Sequence, residues 1–114
     1  MKSQRVYVEH VLECIGRIRE DSAAGRDAVF GSRTLQDAIL RNLQVLCEST
    51  QRIESVHKEQ HAEIPWAGIS GMRNVLVHDY FGVDFEAVWQ VIIRDLEDLQ
   101  DAMWAILATM EHKS

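Results

Sequence analysis

The sequence has little of what interrupts, cross-links or membrane-anchors a chain. It contains one proline, no internal repeat and no low-complexity tract. Its longest apolar run, AMWAILATM, is about half of the roughly 20 residues that a membrane span requires. The first 20 residues mix charges throughout and show no apolar core of a signal peptide. We therefore expect a single domain over residues 1–114 that works in the cytoplasm and has no membrane partner.

Cysteine and metal-binding patterns are equally sparse. Cys14 and Cys47 stand apart, in no CxxC or Cys/His cluster, and both fall among apolar helical positions. We expect reduced, buried thiols. The stretch HKEQH places His57 and His61 one helical turn apart, which can chelate a metal, but its glutamate does not stand where HExxH has it. We interpret it as a solvated loop or helix end, and we expect no metal and no cofactor.

Negative charge is concentrated in the second half of the chain. The net charge is −6. Residues 1–58 hold nine Lys and Arg against eight Asp and Glu, whereas residues 59–114 hold three against ten. A polyanion must therefore be met locally by a few arginines and not by a broad basic face. Charge alone argues mildly against nucleic acid, and we expect no DNA binding.

Apolar residues recur three or four positions apart, and no strand-like alternation competes with this pattern. The spacing predicts an all-α protein, an antiparallel four-helix bundle. The four predicted helices cover residues 4–24, 34–57, 65–81 and 84–112. Gly25 and the polar, flexible stretch RDAVFGSR are expected to end the first helix.

Four residues are predicted to mark the other helix ends. Thr34 is a possible N-cap of the second helix, and Pro65 suits the first turn of the third. Gly82 is placed to close the third helix in the left-handed conformation, and Asp84 is placed to cap the fourth.

The fourth helix has more apolar surface than a monomer needs. Val91, Ile93, Trp104 and Leu107 lie off its main apolar stripe. Extra apolar surface of this kind often marks an interface, so we expect a homodimer.

The third helix carries four polar groups close together, in GMRNVLVHDYFG. At about 100° per residue, with Arg73 at 0°, Asn74 lies at about 100°, His78 at about 140° and Tyr80 at about 340°. A bland interpretation exists for each. The helix dipole favours a histidine in the last turn, the arginine can pair with the acidic fourth helix, and the tyrosine can belong to the core.

Two glycines lie on the flank of the third helix that carries the histidine. Gly68 and Gly71 project at about 220° and 160°, and each costs roughly 1 kcal/mol relative to alanine inside a helix. We expect something to approach the backbone there, either a crossing helix or, as the sharper alternative, a phosphate or a base.

The polar set resembles a known motif. Residues 73–80, RNVLVHDY, match the Arg-x-x-x-x-His-x-Tyr motif of HepT-like ribonuclease toxins, members of the HEPN (higher eukaryotes and prokaryotes nucleotide-binding) superfamily. The flanks IPWAGISGMRNVLVHDYFGVD and TLQDAILRNLQVLCEST resemble the third and second helices of that family. The resemblance spans nearly the whole chain. One departure is that CES at 47–49 stands where many relatives carry Gly-Glu-Ala.

The resemblance implies metal-independent cleavage of RNA by the toxin of a toxin–antitoxin pair. Arg73 and His78 would be the catalytic residues, supported by Asn74, at a site shared by two subunits. Tyr80 would be the residue to which a partner nucleotidyltransferase antitoxin attaches AMP.

Other interpretations of the residues stay open. Arg41 and Asn42 of the second helix could line the same groove as the motif, although Asp37 and Arg41 also have the spacing of a surface ion pair. The protein could be a non-catalytic module that binds a nucleotide or docks a nucleotidyltransferase. It could also be a purely structural helical dimer.

Overall fold

A computed structural model describes residues 3–112 of the chain, with side chains through Met110. The described residues form seven α-helices and two 3-10 turns, at Glu59–His61 and Tyr80–Gly82, and no strand. The helices are α1 (Gln4–Ser22), α2 (Arg26–Phe30), α3 (Arg33–Gln51), α4 (Ser55–Lys58), α5 (Trp66–His78), α6 (Phe85–Arg94) and α7 (Leu96–His112). The prediction of an all-α helical bundle is confirmed. Within residues 3–112, no helix is both long enough and apolar enough to cross a bilayer.

Four longer helices, α1, α3, α5 and α7, enclose the core. α1 packs most extensively along α3, while α5 packs on α3 and α7 packs on α1. The largest fully buried side chains come from three of them: Ile15, Ile18, Ile39, Leu43, Met103 and Ile106. Because each lies on its helix's apolar stripe, burial of these stripes holds the bundle together.

Both cysteines lie inside this core, as predicted. Cys14 and Cys47 are buried free thiols. Burial raises the pKa of Cys47 to about 12 and also raises the pKa of Cys14. Neither thiol is therefore suited to act as a nucleophile near neutral pH.

The starts of the helices follow local capping chemistry. Asp84 caps α6 as predicted, because its carboxylate accepts the Glu86 backbone N–H at 3.0 Å. The prediction for α3 is wrong by two residues. Ser32 is the cap, since its hydroxyl accepts the Leu35 N–H at 3.2 Å. Pro65 directly precedes α5, and its carbonyl accepts the Ile69 N–H at 3.0 Å.

The two predicted glycine stops differ. Gly25 follows α1 with φ of 95° and is the one described residue with a positive φ. Gly82 is not left-handed, so that prediction is wrong. It ends a 3-10 turn in which a Cβ would lie 2.5 Å from the Asp79 carboxylate oxygens, so a larger residue there would require the Asp79 side chain to move.

Two predicted helices are interrupted. The second ends at Gln51, and the separate helix α4 begins at Ser55. The fourth divides into α6 and α7 at Asp95, whose N–H still donates to the Val91 carbonyl at 2.8 Å. Buried side chains continue across this break, so the apolar period did not reveal it.

The stretch predicted as a flexible connection contains α2. Phe30 packs edge-to-face against Phe85 and Trp89, with ring centroids 5.4 and 6.0 Å away. The Arg26 guanidinium lies 4.2 Å from the centre of the Phe30 ring and pairs with both carboxylate oxygens of Glu86, one of them at 3.0 Å. α2 therefore fastens the start of α6.

Candidate active site

The predicted motif lies on the last turns of α5 and on the 3-10 turn that follows. Leu76 is buried and anchors α5 to the core. Asn74 and His78 are exposed, and Arg73 and Tyr80 are partly buried. The helix thus presents its polar residues outward while its apolar side is held by α3.

Arg73 has an unused hydrogen-bond donor. Its Nη1 donates weakly to the Asn74 side-chain oxygen at 3.4 Å. Its Nε is buried and has no hydrogen-bond partner, the one such side-chain atom among the described residues. A buried donor without an acceptor is unfavourable, and a guanidinium stays charged at any physiological pH. An anionic group reaching this side chain would satisfy the donor.

His78 ends α5 and is exposed to solvent. The carboxylate of the neighbouring Asp79 lies beside Gly82. Asp79 itself continues the helix through its N–H, which donates to the Val75 carbonyl at 2.9 Å. The imidazole therefore lies at the negative end of the helix and is accessible to a ligand.

Tyr80 is tied to α3. Its hydroxyl donates to the Asp37 carboxylate at 2.9 Å, and its ring lies edge-to-face with Phe81 at 5.5 Å. Partial burial and the Asp37 carboxylate raise the pKa of Tyr80, so the phenol is neutral near pH 7.

Asp37 is a site residue that sequence reasoning missed. Its spacing from Arg41, four residues away, predicts a surface ion pair. Its partner is the Tyr80 hydroxyl, 43 positions away in sequence. No local pattern signals a contact of that range.

The glycine flank of α5 is open within the protomer. A Cβ on Gly71 would meet nothing within 4 Å, and a Cβ on Gly68 would meet only the Pro65 Cβ, at 3.7 Å. No helix of the described protomer therefore crosses close to these two glycines, and a helix of a second copy, a phosphate or a base stays the prediction. Anything that approaches this backbone has to come from outside the protomer.

Apolar side chains surround the motif on the surface. Val75, Val77 and Phe81 are 48%, 39% and 96% exposed. They alternate with Asn74 and His78 along the chain, so the polar site lies within a partly apolar surface. Exposed apolar surface of this kind often marks an interface.

The fourth predicted helix exposes fewer apolar side chains than expected. Leu107 is buried and Val91 is partly buried. Ile93 and Trp104, at 58% and 55% exposed, remain on the surface. The basis for expecting a dimer through this helix is therefore reduced to two side chains, and the exposed apolar surface of α5 adds to it.

The other candidate groove residues lie between α1 and α3. Arg41 and Asn42 line a groove with His10 and Arg17 of α1, and no residue of α5 lines that groove. The Asn42 side-chain amide donates to the Ala38 carbonyl of its own helix at 3.0 Å. Within one protomer, Arg41 and Asn42 therefore lie in a groove that α5 does not line, and their part in the site stays a prediction.

The HKEQH stretch forms α4 and the 3-10 turn after it, in agreement with the interpretation as a helix end. The His61 ring lies 3.5 Å from the Glu63 carboxylate. The described residues contain no group of three His, Cys, Asp or Glu side chains arranged to hold a metal ion.

Fold and site together define an all-helical protein with an arginine, a histidine and a tyrosine at the exposed end of one helix. Residues 11–106 match the family described as Ribonuclease HepT-like. The chain therefore belongs to the HepT-like ribonuclease family, and its enzyme class is that of a ribonuclease acting on RNA.

Curated relatives from bacteria and archaea agree with this assignment. A protein of Caldanaerobacter subterraneus subsp. tengcongensis named "Putative RNase" is 32% identical over 108 residues, covering 94% of this chain and 96% of the relative. The "Probable ribonuclease HepT" of Thermococcus cleftensis is 33% identical over 101 residues, covering 87% and 91%.

The name of a longer relative gives a second activity besides that of a ribonuclease. The "Gamma-glutamylcyclotransferase and putative RNase" of Methanocaldococcus jannaschii is 31% identical over 111 residues, covering 96% of this chain and 50% of the relative. This chain thus spans half the length of that protein. No solved structure gives a significant match.

Proposed function

We propose that this ribonuclease is the toxin of a toxin–antitoxin pair and acts in the cytoplasm as a metal-independent endonuclease on RNA. Arg73 and His78 are the catalytic residues, and Asn74 positions them. Two copies of the chain build the active site. A nucleotidyltransferase antitoxin silences it by attaching AMP to Tyr80.

The chemistry requires a proton acceptor, a proton donor and a cation. The ribose 2′-hydroxyl attacks the adjacent phosphorus, the 5′-oxygen leaves, and the products end in a 2′,3′-cyclic phosphate and a 5′-hydroxyl. His78 exchanges protons in this step, because imidazole occurs in both protonation states near neutral pH. General acid or base catalysis of this kind contributes about 10²- to 10⁴-fold in rate. DNA lacks the attacking hydroxyl and is not a substrate.

The state of Arg73 is the observation that carries the proposal. Its buried Nε has no acceptor among the described residues, although the guanidinium is a rigid fork of donors that matches two phosphate oxygens. A phosphate bound there supplies the missing acceptor. As the phosphorane forms, its extra negative charge strengthens the same contacts, which is how a fixed cation lowers the barrier.

A second subunit completes the set of groups. Each motif has one histidine, and cleavage needs both an acid and a base. Arg73 and His78 point about 140° apart on α5, so one chain does not stack them. Two α5 helices meeting through the exposed Val75, Val77 and Phe81 side chains would bring two imidazoles and two guanidinium groups to one cleft.

Modification of Tyr80 would block this cleft. Tyr80 is two residues from His78, so an attached AMP would fill the space beside the histidine. Its phosphate would also place negative charge where the RNA phosphate binds.

The test is cleavage of an RNA pool in EDTA, with end-group analysis for 2′,3′-cyclic phosphate. We expect His78→Ala and Arg73→Ala each to abolish cleavage and toxicity while the helical circular dichroism stays unchanged. His57→Ala and Arg94→Ala are the matched controls, because they remove the same side-chain types away from α5, and they should cleave at the wild-type rate. Wild-type rates in either motif variant would remove that residue from the mechanism. Nucleotide-dependent stabilisation without any fragments would identify a binding module instead.

A further inference from the structure

A long groove runs between α1 and α3, away from the motif helix. Two adjoining cavities of about 650 and 470 Å³ form it. They share His10, Arg41 and Val45 in their linings. The groove is open, its larger cavity is more polar than apolar and its smaller cavity is more apolar, and none of the proposed catalytic residues lines it.

On the α3 side, charged residues follow one line. Arg41, Glu48 and Arg52 all line the larger cavity. At about 100° per residue they lie within about 40° of one another on the helix surface. The two arginines are eleven positions apart, or about 16 Å along the axis. The larger cavity thus has a guanidinium towards each end and a carboxylate between them, and Arg41 lies where the two cavities join.

The far end of the groove is held in place by the start of α1. The Gln4 side-chain amide donates to the Arg52 carbonyl at 3.0 Å and accepts the Glu54 N–H at 2.7 Å. These two hydrogen bonds therefore fix the backbone position of Arg52.

The arginines in the groove are available for an anion. Arg41 and Arg52 form no ion pair with any described residue. The lining contains two acids, Glu13 and Glu48, and Glu13 is already paired with Arg17 at 2.7 Å. The partly buried ring of Tyr7 lies in the same lining. The groove has an excess of positive charge in a chain of net charge −6. A basic groove with an aromatic side chain is typical of single-strand nucleic-acid binding.

α3 connects the groove to the motif, although neither Asp37 nor any residue of α5 lines the groove. Asp37 lies one helical turn before Arg41 on nearly the same side of α3, and its carboxylate binds the Tyr80 hydroxyl. The motif tyrosine is therefore held one helical turn before Arg41 along α3.

We propose that the α1–α3 groove binds the sugar–phosphate backbone of single-stranded RNA that extends from the cleaved bond. Arg41 and Arg52 contact the phosphates, and Glu48 limits the affinity because it faces the same backbone. This inference rests on the proposed function for the identity of the ligand. It adds a binding surface that lies outside the motif.

The first experiment measures binding of a labelled unstructured RNA to the uncleaving His78→Ala protein over a range of salt concentrations. Each phosphate contact with a single strand contributes about 0.7 to the slope of log K against log salt. Adding Arg41→Gln and Arg52→Gln should lower that slope by about 1.4 and weaken binding by roughly tenfold or more at 0.1 M salt. The matched control adds Arg19→Gln and Arg94→Gln, which removes two exposed arginines outside the groove and should leave both quantities unchanged.

The second experiment removes a negative charge from the groove instead of positive charges, so the expected change in RNA affinity has the opposite direction. Glu48→Gln in the same His78→Ala protein should tighten RNA binding, because it removes a negative charge that faces the backbone. Loss of a merely structural contact would not tighten binding. Three results would each contradict RNA binding in the groove. They are an unchanged affinity and slope in the Arg41/Arg52 variant, an equal loss in the control, and weaker binding by Glu48→Gln.

Cleavage separates this inference from the proposed function. With His78 intact, the Arg41/Arg52 variant should cleave a dinucleotide at the wild-type rate, because that substrate does not reach the groove, and should lose kcat/KM on a long RNA. Equal losses on both substrates would overturn the groove as a separate site. If the wild type cleaves neither substrate, the proposed function fails, and the binding experiments still decide the groove.

Discussion

Replacing Gly71 with alanine separates the stability of the protomer from what happens on its surface. A Cβ at this position meets nothing within 4 Å, and the residue is exposed in the middle of α5. The substitution should therefore favour the helix by up to about 1 kcal/mol. For a domain of this size that corresponds to a rise in melting temperature of roughly 4 °C.

The same methyl group should harm activity if α5 meets a second α5 or an RNA at this flank. Gly71 projects only about 20° from His78 around the helix. A methyl group there would hold an approaching backbone or phosphate away from the histidine. We expect kcat/KM for RNA to fall at least roughly tenfold, since a misplacement of about 1 Å in a catalytic site can cost 10²-fold.

Gly16→Ala is the matched control. Gly16 lies inside α1, and a Cβ there also meets nothing within 4 Å. It should give a similar stabilisation and full activity. The assays are urea unfolding followed by circular dichroism, sedimentation for the oligomeric state, and RNA cleavage. If Gly71→Ala were as stable and as active as Gly16→Ala, the glycine flank would not be a surface of close approach, and the reasoning would be wrong.

Three further predictions concern the ties that hold the site and the fold. Tyr80→Phe should still cleave RNA and should escape silencing by AMP, seen as the loss of an AMP mass shift after co-expression with a cognate antitoxin. Its free energy of unfolding should fall by at most about 1 kcal/mol, because the variant loses one partly exposed hydrogen bond to Asp37. Glu86→Gln should flatten the acid side of the stability profile. The hydrogen bond from Arg26 lowers the pKa of Glu86 below its ordinary value of 4.5, so this stabilisation is present at neutral pH and is lost as the pH falls through the lowered pKa. Leu43→Ala should destabilise by about 2–5 kcal/mol, because Leu43 is 1% exposed in the core. A shift in the urea midpoint smaller than that of Gly71→Ala would contradict this.

Helix periodicity predicted the bundle but not its interruptions. The buried positions of α1, α3 and α7 follow a period that the sequence displays directly, because each of these helices has one apolar side. The break at Asp95 leaves that period intact, since Leu96 and Leu99 are buried as a continuous helix would bury them. The start of α3 was misplaced because Ser32 and Thr34 both have hydroxyls that can cap a helix, and only the backbone direction selects between them.

The candidate site was predictable in its residues and not in its contacts. Spacing and resemblance placed Arg73 and His78 on the last turns of α5, whereas Tyr80, predicted on the same helix, lies in the 3-10 turn that follows it. The bond between Tyr80 and Asp37 joins residues 43 positions apart, and the packing of α5 on α3 creates it. The unsatisfied donor of Arg73 is likewise a result of burial, which no single sequence position encodes.

The contacts by which α2 holds the start of α6 have a practical consequence for anyone altering this chain. Composition marks residues 26–33 as the natural place to insert a tag, cut the chain or rejoin its ends. Those residues contain Arg26 and Phe30, which grip the start of α6 through Glu86, Phe85 and Trp89. An insertion there would detach the start of a helix about 60 positions downstream.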